Sequence, residues 1–437
     1  MFDLPWVNGA FSLFYISIVV ILLTEMFEIK NKGMIVLCAA IFVSFPTVVS
    51  SFAYMYTADA YLLAFLLATL AVYLTWCVKK WGTIAGMVCL AFAMGIYQAY
   101  ATVAIVLVLL YIIRQFVIEK LDFLEAVRKD LKYLGMLVGG AVLYAVILKI
   151  TLIRYNITLP GYQGIGALGI MSLGQYKAAL QKTLYHFRLI LGMEHGVEKR
   201  VYSILNASVL LLIGLIFIYL LIRNQVYKKK MSMLASIAAV CLIPVGAYFI
   251  NFTSPDVQYY TLMEMAVCLI YLLMIIMLLQ LDWKTWISKI LKGCGIFVLC
   301  GLVYYNVINC NIAYFNMNLS YHKSISIAED VLQRIEQMDE FQNQHDKVVI
   351  MGDYNCATEN LQIMMPSIMG ISNDSFLNDS YHYTIIWNYC FGVQMEQASY
   401  DEMMEIVETD EYKNMSVYPL KGCVEYINGI IVVKMQE

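Results

Sequence analysis

Ten runs of apolar residues, each about long enough for a helix to cross the hydrocarbon core of a bilayer, follow one another at roughly 8–27, 34–52, 60–78, 82–98, 99–117, 135–153, 203–222, 232–250, 262–281 and 293–311. Most of the chain therefore has lipid as its solvent, and there only structures that satisfy their own backbone groups persist. Composition agrees: of 437 residues, 61% are hydrophobic and 14% charged, too apolar for a soluble domain of this length. The pattern predicts an α-helical polytopic membrane protein of about ten spans over residues 1–311, with something different after it.

The bland net charge of −3 hides that difference. From Ile312 to Glu437 there are 19 Asp/Glu and 6 Lys/Arg, leaving 13 acids and 23 bases upstream, so the two parts suit different surroundings. The tail begins with Ile325, Ile327, Val331, Leu332, Ile335, Met338 and Phe341, a helical stripe that runs on from the last span. Lys347 to Met351 reads as a buried strand ending at Gly352-Asp353. Cys423 to Tyr426 and Ile430 to Lys434 flank Ile427-Asn428-Gly429, and Asn-Gly between two β-branched runs is a strong hairpin signal. Residues 312–437 are thus expected to form a small α/β domain.

Basic residues resist export, so the Lys and Arg of the connections set the orientation. Alternate connections hold Lys30 and Lys32; Lys79 and Lys80; Arg114, Lys120, Arg128, Lys129 and Lys132; Arg223 and Lys228 to Lys230; and Lys284, Lys289 and Lys292. The short opposite connections around Met55, Gln98 and Pro255 hold none. The expectation is a bacterial cytoplasmic membrane location with both termini and the tail domain extracytoplasmic. An outside N-terminus requires Met1 to Asn8 to cross with the first span, and a further helix upstream is the simplest repair. Ile118 to Gly135 has apolar residues at helical spacing with basic neighbours, which suits either a helix lying on the cytoplasmic face or a solvated connector.

No P-loop, dinucleotide fingerprint, nucleophile elbow or zinc motif occurs, and nothing points to nucleic acid. The eleven cysteines are scattered singly and the five histidines are dispersed, so no metal or other cofactor is expected. Chemistry is left to carboxylates, bases and aromatics at the outer face. The acids available there ahead of the tail are Asp3, Asp59, Glu194, Glu198, Asp256 and Glu264.

Asp59 lies in Tyr54-Met55-Tyr56-Thr57-Ala58-Asp59-Ala60-Tyr61, where tyrosine faces suit sugar rings and a carboxylate can bind hydroxyls or take a proton. The competing account makes Thr57 an N-cap and Asp59 a first-turn residue that favours the helix dipole. Tyr97 and Gln98 form a second polar and aromatic cluster, although Gln98 can equally serve backbone groups freed by the turn there. The loop from Arg154 to Tyr202 is basic on the side that is otherwise free of bases. Its Arg188, Lys199 and Arg200 suit a lipid phosphate, or else headgroups of membrane lipid and the acidic tail. Asp256, after Ser254-Pro255 and before Tyr259-Tyr260, reads best as a turn residue.

The segments Leu4-Pro5-Trp6-Val7-Asn8-Gly9, Phe45-Pro46, Tyr54 to Tyr61, Gly95-Ile96-Tyr97-Gln98-Ala99-Tyr100 and the closing Asn428-Gly429 hairpin with Val432-Val433-Lys434 resemble the bacterial Gtr-type membrane glucosyltransferases of the GT-C class. That resemblance implies transfer of glucose or a related sugar from a polyprenyl-phosphate carrier to an extracytoplasmic cell-surface glycan. It implies direct displacement at the anomeric carbon, with a carboxylate of the first outer loop as base and cations holding the departing phosphate. The family carries that acidic loop, behind an additional span, ahead of its Pro-Trp-x-Asn-Gly stretch, whereas this sequence starts just before Pro5-Trp6. The catalytic residue is accordingly unassigned, with Asp59 a substitute base at most; Asp59, Tyr54, Tyr56, Tyr61, Tyr97, Gln98, Arg188, Lys199 and Arg200 are the substrate-binding candidates. The rival reading is a non-catalytic membrane protein, a transporter of lipid-linked sugar or an inactive partner subunit. Transport calls for charge in mid-span, of which Lys149 is a weak instance.

Overall fold

The computed structural model describes residues 4–159, 169, 171–192, 200–341, 346–352, 377 and 379–436. Their contacts divide the chain into two compact units, one up to Cys310 and one from Asn311. In the first unit lie α1 (Pro5–Met26), α2 (Lys32–Ser44), α3 (Pro46–Ala53), α4 (Met55–Cys77), α5 (Gly82–Ile96), α6 (Ala101–Val117), α7 (Phe123–Tyr155), α8 (Leu173–Ile190), α9 (Arg200–Arg223), α10 (Lys230–Ala247) and α11 (Leu269–Leu279). The long α12 (Trp286–Glu336) starts there and continues beyond Asn311.

Among the described residues seven helices are long and apolar enough to cross a membrane: α1, α4, α6 with its leading 3-10 turn, α7, α9, α10 and α12. The polytopic helical architecture stands, and the other three apolar runs take altered forms for local reasons. The run at 34–52 becomes α2 and α3, bent by 44°. Pro46 disfavours helical backbone at the residue before it, and Phe45 is extended with ψ 139°. The run at 82–98 stops at Ile96, because Tyr97 is extended, so α5 has only 15 residues. The run at 262–281 begins as 3-10 turns and gives an α11 of 11 residues. All of Leu269 to Leu278 is buried. A helix apolar on every side and walled in on every side is a central element with no lipid-facing stripe.

Close approach of spans depends on small residues. A Cβ on Gly86 of α5 would lie 2.5 Å from Thr75 Oγ1 and 2.7 Å from the Ala71 carbonyl oxygen of α4, and one on Gly140 of α7 would lie 2.9 Å from Leu90 of α5. Glycine is what lets these backbones meet in a setting where no hydrophobic force draws helices together. The segment expected as a surface helix or connector at 118–135 is neither. From Phe123 it is the opening of α7, continuous through Tyr155.

The bases cluster at one end of the first unit, where they close helix C-termini. Arg114 donates to the Met26 carbonyl at 2.6 Å while pairing with Glu28 at 2.8 Å and Glu119 at 3.1 Å. Lys132 donates to the Thr75 carbonyl, Arg223 to Gln280 and Lys292 to Leu281. Each cation meets a carbonyl that the helix leaves unpaired, at the negative end of its dipole. Nearby, two backbone N–H groups, foremost that of Lys284, hold the Asp282 carboxyl below the usual carboxylate range. The bases that mark topology in the sequence thus also tie the helix ends together.

The second unit has a four-stranded sheet in the order β2 (Glu396–Gln397), β1 (Lys347–Met351), β4 (Ile430–Lys434), β3 (Val424–Ile427). Strand β1 is parallel to β2 and β4, and β3 is antiparallel to β4. Val348, Ile350, Ile431 and Val433 pack with Ile327, Val331, Ile335 and Trp387, and Trp387 Nε1 donates to the Ala328 carbonyl at 2.7 Å. On the other face Val349, Ile430 and Val432 pack with Ile406 and Met415. Burial of both faces explains why β1 and β4 read as unbroken apolar runs instead of alternating ones. Asn428 (φ 50°) and Gly429 (φ 82°) make the expected hairpin turn. At the start of β1 Lys347 Nζ lies 2.6 Å from Glu402, and that hydrogen bond holds the Glu402 carboxyl down at about 2.

Candidate active site

The end of the first unit opposite that cluster of bases holds the aromatic and acidic candidates, together with Lys182 and Arg188 of α8. There α4 starts at Met55, two residues before Thr57, so Thr57 is not its N-cap; its hydroxyl donates back to the Tyr54 carbonyl at 3.2 Å. Asp59 falls beyond the first helical turn, which removes most of the dipole account of this residue. It is half-buried and makes no hydrogen bond or ion pair among the described residues.

Helical geometry then divides the Tyr54–Tyr61 motif. Asp59 and Tyr61 are roughly 200° apart around the axis, on opposite sides of α4. Asp59 shares its side with Met55, whose carbonyl accepts from Asn8 Nδ2 of α1 at 3.2 Å. Tyr61 turns the other way, its ring 5.0 Å from that of Tyr97. Tyr54 and Tyr56 are 41% and 63% exposed at the helix start. The four residues adjacent in sequence therefore do not converge on one point.

What does assemble is a chain of rings across several elements. Tyr97 stands against Tyr61 and, at 5.9 Å, Tyr100, while its neighbour Gln98 donates Nε2 to Tyr144 Oη at 2.6 Å. That bond gives Gln98 a side-chain partner on α7, so its role is more than serving the turn. Ala99, Val257 and Met263 form a small buried core against which both Tyr97 and Tyr259 pack. Beyond it the Tyr259 ring lies 4.9 Å from Tyr248 and 5.5 Å from His186, and His186 stacks on Tyr248 at 6.0 Å. Tyr248 in turn holds Glu264, 5% exposed, whose Oε1 accepts from the Tyr248 hydroxyl at 2.6 Å.

Three tethers hold this arrangement. Thr47 Oγ1 donates to the Thr261 carbonyl at 2.8 Å, Asn251 Nδ2 to Thr183 Oγ1 at 3.1 Å, and Lys182 Nζ to the Pro255 carbonyl at 2.9 Å. The last two dock α8, the helix of the basic loop, onto the 3-10 turns that follow α10. Arg188 is exposed on α8 and Arg200 is exposed at the start of α9, whereas Lys199, with Glu194 and Glu198, lies outside the described residues. Asp256 is exposed in its Ser-Pro turn, in keeping with the turn reading.

Sequence reasoning counted Glu264 among the outer-face acids and went no further with it. The signal was present, because it is the one charged residue within the run 262–281, and an ionisable group in an apolar stretch marks a site by default. Its partner Tyr248, at the end of α10, carried no comparable signal.

Chemically, the belt offers flat apolar faces at the rim of a helical bundle, with one buried, hydrogen-bonded carboxyl, Glu264, while Asp59 stands on the side of α4 away from Tyr61. Such faces suit sugar rings, and a carboxylate at hydrogen-bond distance suits their hydroxyls. No group of three or more His, Cys, Asp or Glu placed to hold a metal ion occurs among the described residues.

Comparison with known proteins agrees with this chemistry. No curated protein and no solved structure matches the chain. The family model described as glucosyl transferase GtrII matches residues 1–263, a stretch containing every member of the aromatic belt and ending one residue before Glu264. With well over half its length matched, the chain belongs to the GtrII glucosyl transferase family.

Proposed function

We propose that this glucosyltransferase takes glucose or a related sugar from a polyprenyl-phosphate carrier and transfers it to a cell-surface glycan outside a bacterial cytoplasmic membrane. In this reading the lysine-rich end faces the cytosol and the aromatic end faces outward, as the bias of bases predicts. The acceptor hydroxyl oxygen attacks the anomeric carbon, the bond from that carbon to the phosphate oxygen breaks, the hydroxyl proton passes to a carboxylate, and polyprenyl phosphate departs. Asp59 is the carboxylate we assign to receive the proton or bind a sugar hydroxyl, since no described residue pairs with it. Glu264, closed off by Tyr248, is a positioning residue beneath the rings. Tyr61, Tyr97 and Gln98 support the sugar, Tyr54 and Tyr56 extend the aromatic rim, and Arg188, Lys199 and Arg200 supply charge for the phosphate.

What supports the proposal is a carboxyl, Asp59, without a partner among the described residues, together with two groups of aromatic rings at the same end of the bundle, inside the stretch matched to the glucosyltransferase family. Membranes containing the chain should release polyprenyl phosphate from a polyprenyl-phosphate [14C]glucose donor and label a glycan acceptor. Asp59→Asn should lower transfer at least tenfold with unaltered protein level. A donor turned over no faster than in membranes lacking the chain would overturn the reading, and an unimpaired Asp59→Asn would remove Asp59 from it.

A further inference from the structure

In the tail, helix α13 (Ser380–Ile386) runs into a π-helical turn, Trp387–Phe391, beside the edge strand β2. One side of this element is core, where Tyr383 and Trp387, a turn apart, are buried with the sheet residues. On the opposite side of the axis Tyr381, Ile385 and Tyr389 follow one another at single-turn spacing. The two tyrosines are 56% and 74% exposed. Next to that stripe lie Thr384 and Asn388, each joined to an amide of the segment that follows. Gln397 Nε2 donates to Thr384 Oγ1 at 3.0 Å, and Gln394 Nε2 donates to Asn388 Oδ1 at 3.3 Å. These bonds fix the amides in place and leave Asn388 Nδ2 and the Oε1 atoms of Gln394 and Gln397 without a partner among the described residues.

Exposed rings rimmed by fixed polar groups mark a contact with another molecule, and the chemistry of the face selects which. A phenol ring has a negative face that attracts C–H groups. The amides beside it offer donors and acceptors together, which suits groups that both donate and accept, as hydroxyls do. A neutral sugar has C–H groups on its ring face and hydroxyls around its edge, so it answers both demands at once. Anionic lipid and nucleic acid do not, because no Lys or Arg occurs from Asp379 to Tyr412 and the one histidine there, His382, is held by Asp379 at 2.7 Å. Eight residues separate Tyr381 from Tyr389, about 12 Å at most along the axis, so the two rings together call for a chain of sugars and not a single one.

We propose that this face of the tail binds the cell-surface glycan that accepts the transferred sugar, with neutral sugar residues of that chain on Tyr381 and Tyr389 and their hydroxyls on Asn388, Gln394 and Gln397. The identity of the glycan as acceptor rests on the sugar-transfer reading; the site itself uses none of the residues assigned to transfer. It grips the polymer away from the reacting hydroxyl, so it contributes to acceptor affinity and not to the chemical step.

The test uses the full chain in detergent with, as probe, delipidated polysaccharide from the surface of the cells in which the chain is native, and reads binding by thermophoresis with no sugar donor present. Wild type should bind the polysaccharide, and free glucose about tenfold more weakly, since glucose engages one ring only. Tyr381→Ala and Tyr389→Ala should each weaken polysaccharide binding about fivefold, while Tyr389→Phe, which keeps the ring, stays within about twofold of wild type. In transfer assays the two alanine variants should raise KM for the polysaccharide by the same factor and leave kcat unchanged. No binding by wild type, equal affinity in wild type and both alanine variants, or binding to phosphatidylglycerol vesicles in place of the polysaccharide would each overturn the proposal. Polysaccharide binding that responds to these variants in a chain that transfers no sugar would support the face and remove the transfer reading; transfer with affinity unmoved by the variants would do the reverse.

Discussion

Tyr248→Phe isolates the one hydrogen bond that reaches the buried Glu264 carboxyl among the described residues. The substitution removes the hydroxyl that donates to Glu264 Oε1 at 2.6 Å and leaves the ring, which packs 4.9 Å from Tyr259 and 6.0 Å from His186, in place. Tyr248 has no exposed surface and Glu264 is 5% exposed, so water does not readily replace the lost donor. Hydrogen bonds to acidic groups contribute about 1.5–3 kcal/mol in soluble proteins. Polar pairs within membrane bundles average nearer 0.6 kcal/mol, because the reference state there also finds partners. The expected loss lies between these limits, about 1–2 kcal/mol. The assay is denaturant unfolding of the detergent-solubilised chain in a double-mutant cycle with Glu264→Met, which removes the acceptor at similar volume. If the pair is coupled, the double variant costs less than the two single variants together. Additivity within about 0.5 kcal/mol would refute the claim that the bond holds Glu264 in place.

Gly86→Val forces side-chain atoms into Thr75 and the Ala71 carbonyl, both under 3 Å from a Cβ there, and should destabilise the bundle by about 1–3 kcal/mol, seen as a lower unfolding midpoint. An unchanged midpoint would mean that α4 and α5 separate freely. Gly429→Val places a β-branched residue at φ 82° and should cost about 1–2 kcal/mol of tail stability, while Asn428→Gly should cost far less; equal effects would argue against a left-handed turn. For Lys347→Met the pH dependence gives the test. The Glu402 carboxyl is depressed to about 2 by Lys347 and the Ser399 backbone N–H, so its stabilising effect is present above the ordinary carboxylate range and disappears as pH falls toward 2. Wild type and Lys347→Met should differ in the tail's unfolding midpoint near neutral pH and converge by pH 2, and a gap that persisted there would assign the effect to packing.

How much of this molecule was legible beforehand depends on the range of the interactions involved. Apolar length and period are local properties, so the spans, the strand at Lys347–Met351 and the Asn428-Gly429 hairpin could be read directly. Lys and Arg at alternate connections likewise foretold which helix ends gather, because each base acts at the terminus it borders. Tertiary structure decided what depends on residues far apart in the chain. Pairing of Tyr248 with Glu264 and the ring contacts that involve Tyr61 and His186 are made by elements that meet only when the bundle closes. It also divided the motif the sequence made most conspicuous, since neighbours along a helix point apart around its axis and Asp59 and Tyr61 face opposite sides of α4. Sequence by itself determined the polytopic helical architecture and which acids and aromatics stand at the helix ends away from the lysines; the closed bundle alone determined which carboxyl is covered and which is left open, because burial is a property of the neighbours and not of the residue.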